Sequence, residues 1–161
     1  MKVAIFLGSI SDKSTMKITA EILNKFNISY KSYVISAHRL PDTLSKVIKH
    51  IESENTDVII AGAGLSAHLP GIISSKTILP VIGVPIYNSN NGLLGGIDAL
   101  FSMVQMPKDV PVATMGINNS YNAALFAIHI LSIKYKEIKK SLIKFKMKIK
   151  EKLITEVEQN L

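Results

Sequence analysis

The sequence predicts an α/β protein: a doubly wound, mainly parallel sheet of five strands with helices on both faces and a long amphipathic helix at its C-terminal end. Three observations carry this. Short apolar runs at 2–7, 57–63 and 80–85 lack polar alternation, as strands buried on both faces do. Between them lie segments with apolar residues every three or four positions, the spacing of crossover helices. Across 161 residues, 47% hydrophobic and 19% charged, there is no internal repeat and no linker, so one domain spanning 1–161 is expected.

Each element can be justified in order. "KVAIFL" is strand one. "MKITAEILNKF" is a helix with Met16, Ala20, Leu23 and Phe26 inward. "ISYKSYVI" is strand two, and after Pro41 the Asp42 side chain can cap a helix whose Leu44, Val47, Ile48 and Ile51 share a face. "DVIIAGA" is strand three; Pro70 and Gly71 then set a loop before the next helix. "PVIGVP" is strand four, "GIDALFSMVQ" a helix, "VPVATMGI" strand five and "YNAALFAIHILSI" a helix. Right-handed crossovers would distribute these helices over both faces. From about 134 to 161 a lysine-coated helix carries Ile138, Leu142, Phe145, Ile149 and Leu153 as one apolar stripe. Because the core already has its helices, this stripe is expected to bury itself on a neighbouring subunit.

Composition narrows the function classes. The chain has no cysteine, which excludes disulfides, thiolate metal sites and thiol nucleophiles and fits a cytoplasmic location. The only apolar run near the start is Val3 to Leu7, shorter than a signal peptide requires. The longest apolar run, "NAALFAIHILSI", is interrupted by His129 and falls short of a membrane span. The net charge is +7, of which residues 134–161 contribute +5 from nine lysines and four glutamates. A solvated helix face explains that charge, so neither a nucleic-acid nor a membrane partner is expected.

Ligands of open α/β sheets bind beyond the C-terminal strand ends. After strand one, "GSISD" sets two hydroxyls, Ser9 and Ser11, at a helix N-terminus, where backbone N–H groups favour anions. Asp12 either accepts from sugar hydroxyls or caps the helix; these residues alone leave phosphate binding and capping open. The stretch is neither a P-loop nor a dinucleotide fingerprint. After strand two, "SAHRLP" runs from Ser36 and Ala37 to His38 beside Arg39, the one arginine against eighteen lysines. Guanidinium offers a planar fork of donors to phosphate or carboxylate, and histidine is the residue type that exchanges protons near neutral pH. After strand three, "AGAGLSAHLPG" puts Ala61, Gly62, Ala63, Gly64 and Leu65 where a ligand can approach backbone, with His68 close by. The long segment after strand four, "YNSNNGLLGG", is suited to covering a pocket. His50 reads as an exposed helix residue and His129 as a satisfied core residue. No cluster suits a metal and no serine sits in a nucleophile elbow. A phosphate anchor, an arginine and two histidines together suggest proton transfer on a phosphorylated small molecule.

These motifs, with "PVIGVP", "GGIDALFSMVQMP", "VPVATMGI" and "NAALFA", resemble the bacterial (class I) N5-carboxyaminoimidazole ribonucleotide mutases, the PurE family of purine biosynthesis, in order from Val3 to Ile130. The resemblance implies a flavodoxin-like three-layer sandwich and a homo-octamer in which the C-terminal helix packs on a neighbour. It implies an isomerase that moves a carboxylate from an exocyclic nitrogen to a ring carbon of an aminoimidazole ribonucleotide, through CO₂ and without metal or organic cofactor. Carried onto this chain, it assigns the 5′-phosphate to Ser9, Ser11 and Arg39 and the ribose hydroxyls to Asp12. Ser36 and Ala37 belong to the substrate-binding loop, and His38 is the general acid/base. The backbone of Ala61 to Leu65, with His68, cradles the imidazole and the migrating carboxylate. Two departures stand out: "YNSNNGLLGG" is longer than the family's usual segment, and Asp109 occupies a position where the family has glycine. A CO₂-dependent aminoimidazole ribonucleotide carboxylase of the same family is the nearest alternative. A non-catalytic nucleotide-binding module of the same fold is a more distant one.

Overall fold

The computed structural model describes residues 2–88, 94–155 and 157. The chain runs β1 (Lys2–Leu7), a 3-10 turn (Ile10–Asp12), α1 (Lys13–Lys25), β2 (Ser29–Val34), α2 (Pro41–Ser53), β3 (Val58–Gly64) and α3 (Leu69–Ser74). It continues with β4 (Val81–Ile86), α4 (Ile97–Val104), β5 (Ala113–Thr114), α5 (Ser120–Lys134) and α6 (Lys136–Thr155). All neighbouring strands are parallel, in the order β2-β1-β3-β4-β5. This is the flavodoxin-like arrangement expected. The order reverses between β1 and β3, and the crevice above that point is where such sheets bind ligands.

Each strand feeds two cores. Val3, Ile5, Leu7, Val58 and Ile60 face α1, α5 and α6, while Ala4, Phe6, Ile59 and Ala61 face α2, α3 and α4. Both faces of the central strands are apolar, which is why they read as unbroken runs. β2 differs: its side chains are largely exposed because it is an edge strand, and Lys31 there pairs with Glu54 at 2.7 Å.

Several element ends depart from expectation. Helix α2 begins with Pro41 at its first turn and Leu40 as N-cap; Asp42 lies inside the first turn and makes no capping bond. A proline suits that place because the first helical N–H groups need no intrahelical acceptor. For the same reason Pro70, with Gly71, lies within α3 rather than in a loop before it. Strand β5 is only Ala113–Thr114 instead of the whole of 110–117. Pro111 cannot donate to a ladder, and Asp109 holds φ 71, a left-handed backbone that suits glycine better than most residues. His129 is half-buried rather than a core residue; burial, and then Lys146 nearby, lower its pKa. His50 is exposed, 3.6 Å from Glu54.

The C-terminal stripe is divided. Ile138 and Leu142 are buried in the chain's own core, and Phe145 meets Phe26 edge-on at 5.2 Å. Ile149 and Leu153 remain exposed. The expectation that a neighbour buries the stripe therefore fails for its first half, because the chain turns at Tyr135 and lays α6 back along α5 and Phe26.

Asp57 secures that turn. Its carboxylate, only 8% exposed, accepts from the backbone N–H of Lys2, from Lys134 Nζ at 2.8 Å and from the Tyr135 hydroxyl. Burial by itself would raise its pKa, but the bonds from Lys134, Lys2 and Tyr135 outweigh it and the net shift is downward. A lowered carboxylate pKa stabilises the fold above the unfolded value and loses that stabilisation as pH falls through the folded one. Asp57→Asn is therefore expected to cost roughly 1.5–3 kcal/mol near neutral pH, the range for hydrogen bonds to a charged group. Denaturant melts at several pH values check this. The deficit should vanish in acid, once the wild-type carboxyl is protonated; a deficit independent of pH would contradict the charge argument.

Candidate active site

A cavity of about 550 Å³ opens at the C-terminal ends of β1 to β4. Its wall includes Gly8, Ser9, Ser11 and Asp12 after β1, Ser36 to Arg39 after β2, Ala63 to Ser66 at the end of β3, and Tyr87, Asn88, Gly96 and Asp98 beyond β4. Four loops, far apart in sequence, meet here because parallel strands all end on one side of the sheet.

The β1 loop is set by its own hydrogen bonds. Ser9 N–H donates to Asp12 Oδ2 at 2.8 Å, and Ser11 N–H donates to Ser9 Oγ at 3.4 Å. Asp12 thus caps the turn and lines the cavity at once. It is 5% exposed; burial raises its pKa, opposed by hydrogen bonds from the N–H groups of Ser9 and Gly8.

At the end of β3 the chain passes very close to β4. A Cβ on Gly64 would lie 2.8 Å from the Ile86 carbonyl oxygen, so only glycine fits without moving backbone. Leu65 then takes φ 56, the left-handed region a leucine rarely occupies. That bend turns the loop across the cavity and brings up His68.

His38 Nε2 lies 2.9 Å from His68 Nδ1, with the rings edge-to-face. One of these nitrogens carries the shared proton and the other accepts it. His38 Nδ1 is left over to face another partner.

Of the residues singled out in sequence, Ser9, Ser11, Asp12, Ser36, Ala37, His38, Arg39, Ala63, Gly64 and Leu65 share this one wall. Three do not line it. Ala61 is fully buried in the core on the α2 side. Gly62 faces the other way, where a Cβ would sit 2.5 Å from Met16 Sδ. The sheet pleat sends successive residues to opposite faces, so neither presents itself at the strand end. His68 reaches the cavity only through His38.

Ser66, Leu69, Ile86 and Asp98 line the wall without having been expected, whereas Tyr87, Asn88 and Gly96 belong to the segment expected to cover it. A signal existed for Asp98, a carboxylate just after Gly95-Gly96 at the start of the helix following strand four. Residues 89–93 of the expected covering segment lie outside the described residues. Among the described residues no three His, Asp or Glu side chains stand together as a metal site needs.

The AIR carboxylase family profile matches residues 2–152. Over 98% of its length the chain is 48% identical to the N5-carboxyaminoimidazole ribonucleotide mutase of Thermotoga maritima, covering 91% of that protein. It is 50% identical to the protein of the same name from Pyrococcus abyssi, over 92% of this chain and 84% of that one. The crystal structure of Treponema denticola PurE superposes with a TM-score of 0.88 at 26% identity, covering 98% of this chain and 99% of that one.

Proposed function

The chain belongs to the AIR carboxylase family, and we propose that within it the cavity beside His38 is the active site, in the bacterial (class I) mutase branch. The activity is that of an N5-carboxyaminoimidazole ribonucleotide mutase, an isomerase of purine biosynthesis. It converts the N-carboxylated aminoimidazole ribonucleotide to its 4-carboxy isomer. The observation that carries the site assignment is the imidazole pair, His38 to His68 at 2.9 Å, on a wall shared with Ser9, Ser11 and Arg39.

Ser9, Ser11 and Arg39 hold the 5′-phosphate, and the Asp12 oxygen not used by Ser9 N–H takes the ribose hydroxyls. The imidazole ring lies along Ala63 to Ser66. His38 as imidazolium protonates the carbamate nitrogen; the C–N bond breaks, its electron pair stays on nitrogen, and CO₂ is released. The electron-rich ring carbon attacks that CO₂. Neutral His38 then removes the ring proton, restoring aromaticity and its own starting charge. His68 Nδ1 accepts from the His38 imidazolium, which stabilises the charge and fixes the ring's direction. Holding CO₂ against the ring makes recapture effectively unimolecular.

The assay that tests this supplies the N-carboxylated nucleotide without bicarbonate. Turnover is expected. Turnover only with the decarboxylated nucleotide and bicarbonate would instead establish the direct carboxylase.

We place the enzyme in the cytoplasm, on the ground that its relatives are metabolic enzymes acting on a nucleotide precursor; no helix among the described residues is long and apolar enough to cross a membrane. Exposed Leu94, Ile97, Phe101 and Val104, on and just before α4, and Ile149 and Leu153 on α6, support contacts between copies. We place them in a homo-octamer; a monomer in sedimentation equilibrium would contradict that.

A further inference from the structure

Strand β4 has too short a neighbour. β5 pairs only Ala113 and Thr114 with Ile82 and Gly83, yet β4 runs on to Ile86 and its exit forms a cavity wall. The missing partner is supplied piecemeal. Met115 N–H donates to the Gly83 carbonyl at 2.9 Å and Asn118 N–H to the Pro85 carbonyl at 2.8 Å. At the next position in this two-residue rhythm, Tyr87, no backbone bond of this kind is made among the described residues. The Asn118 carboxamide takes its place: Oδ1 accepts from Tyr87 N–H at 2.9 Å, and Nδ2 donates to the Tyr87 carbonyl at 3.1 Å.

This arrangement has a conformational requirement. Asn118 holds φ 57, a left-handed backbone that asparagine tolerates better than most residues. Its neighbour Ile117 packs against Gly96, where a Cβ would lie 2.8 Å from Ile117 Cγ2 and 2.9 Å from Tyr87 Cβ. Asn118 and Ile117 therefore touch Tyr87 and Gly96 respectively, the first and last residues of the covering segment and both part of the cavity wall.

We propose that Asn118, which does not itself line the cavity, is a positioning residue: its carboxamide acts as a one-residue strand that fixes Tyr87, and through it the β4 wall against which the substrate binds. The inference rests on the assignment of this cavity as the substrate site. The main variant is Asn118→Gly, which keeps left-handed freedom and removes both amide bonds. Asn118→Asp retains an acceptor for Tyr87 N–H and removes the donor.

For Asn118→Gly the Tyr87 backbone amide is expected to exchange with deuterium at least about tenfold faster. KM for the N-carboxylated nucleotide should rise about tenfold, the order expected for losing a pair of hydrogen bonds, with kcat within about twofold. Asn118→Asp should keep much of the Tyr87 protection and show an intermediate KM. Unchanged Tyr87 exchange in Asn118→Gly overturns the clamp. Faster exchange with unchanged KM, or a fall in kcat alone, overturns its positioning role. An inactive wild-type protein would instead refute the assignment of function, and the exchange measurement would still decide whether the clamp exists.

Discussion

His38→Asn is expected to lower turnover by roughly 10²- to 10⁴-fold, the usual span for removing a general acid/base, while leaving nucleotide affinity within about twofold. Asparagine keeps an uncharged polar group where imidazole has Nδ1, although it is too short to replace the Nε2 that lies 2.9 Å from His68 Nδ1. What it lacks is a proton that leaves and returns. Both halves of the reaction need that proton, first on the carbamate nitrogen and then off the ring carbon. Steady-state kinetics combined with a binding titration separates the two effects. Near-native turnover would remove His38 from the mechanism. Lost affinity with normal turnover would make it a binding group instead.

Arg39→Lys is expected to weaken nucleotide binding by about ten- to a hundredfold, a loss of the order attached to breaking a charge-assisted, two-pronged contact. The substitution preserves charge, so a change in affinity reports geometry. Arg39 is exposed on the cavity wall beside Ser9 and Ser11. An ammonium is a point charge there and cannot present two parallel N–H groups to one phosphate. Titration with the nucleotide and with its dephosphorylated nucleoside checks the assignment. The variant should bind the nucleoside as the wild type does and the nucleotide more weakly. Equal affinity of both proteins for the nucleotide would contradict a phosphate role.

How far the sequence could be read depended on where each signal came from. β1, β3 and β4 were legible because burial on both faces leaves unbroken apolar runs such as "VAIFL". Strand five was overextended because "VPVATMGI" is equally apolar, but Pro111 and the left-handed Asp109 prevent regular pairing. The loop residues Ser9, Ser11, Asp12, His38 and Arg39 were legible because each follows a strand and has chemistry no core needs. The places of Ile86 and Asp98 beside those loops were not legible, because they depend on how α4 and the β4 exit pack.

By itself, then, the sequence determined the alternation of elements, the doubly wound sheet and the loops that carry polar chemistry, since periodicity and strand-end position are local properties of the chain. Only the tertiary structure decided three other matters. It set two histidines thirty positions apart within hydrogen-bonding distance. It turned Ala61 and Gly62 to opposite sides of the sheet and away from the cavity. And it folded half of the C-terminal stripe back onto its own chain. Each of these depends on distances between residues remote in sequence, and those distances are fixed by sheet register and by helix packing, which no single segment encodes.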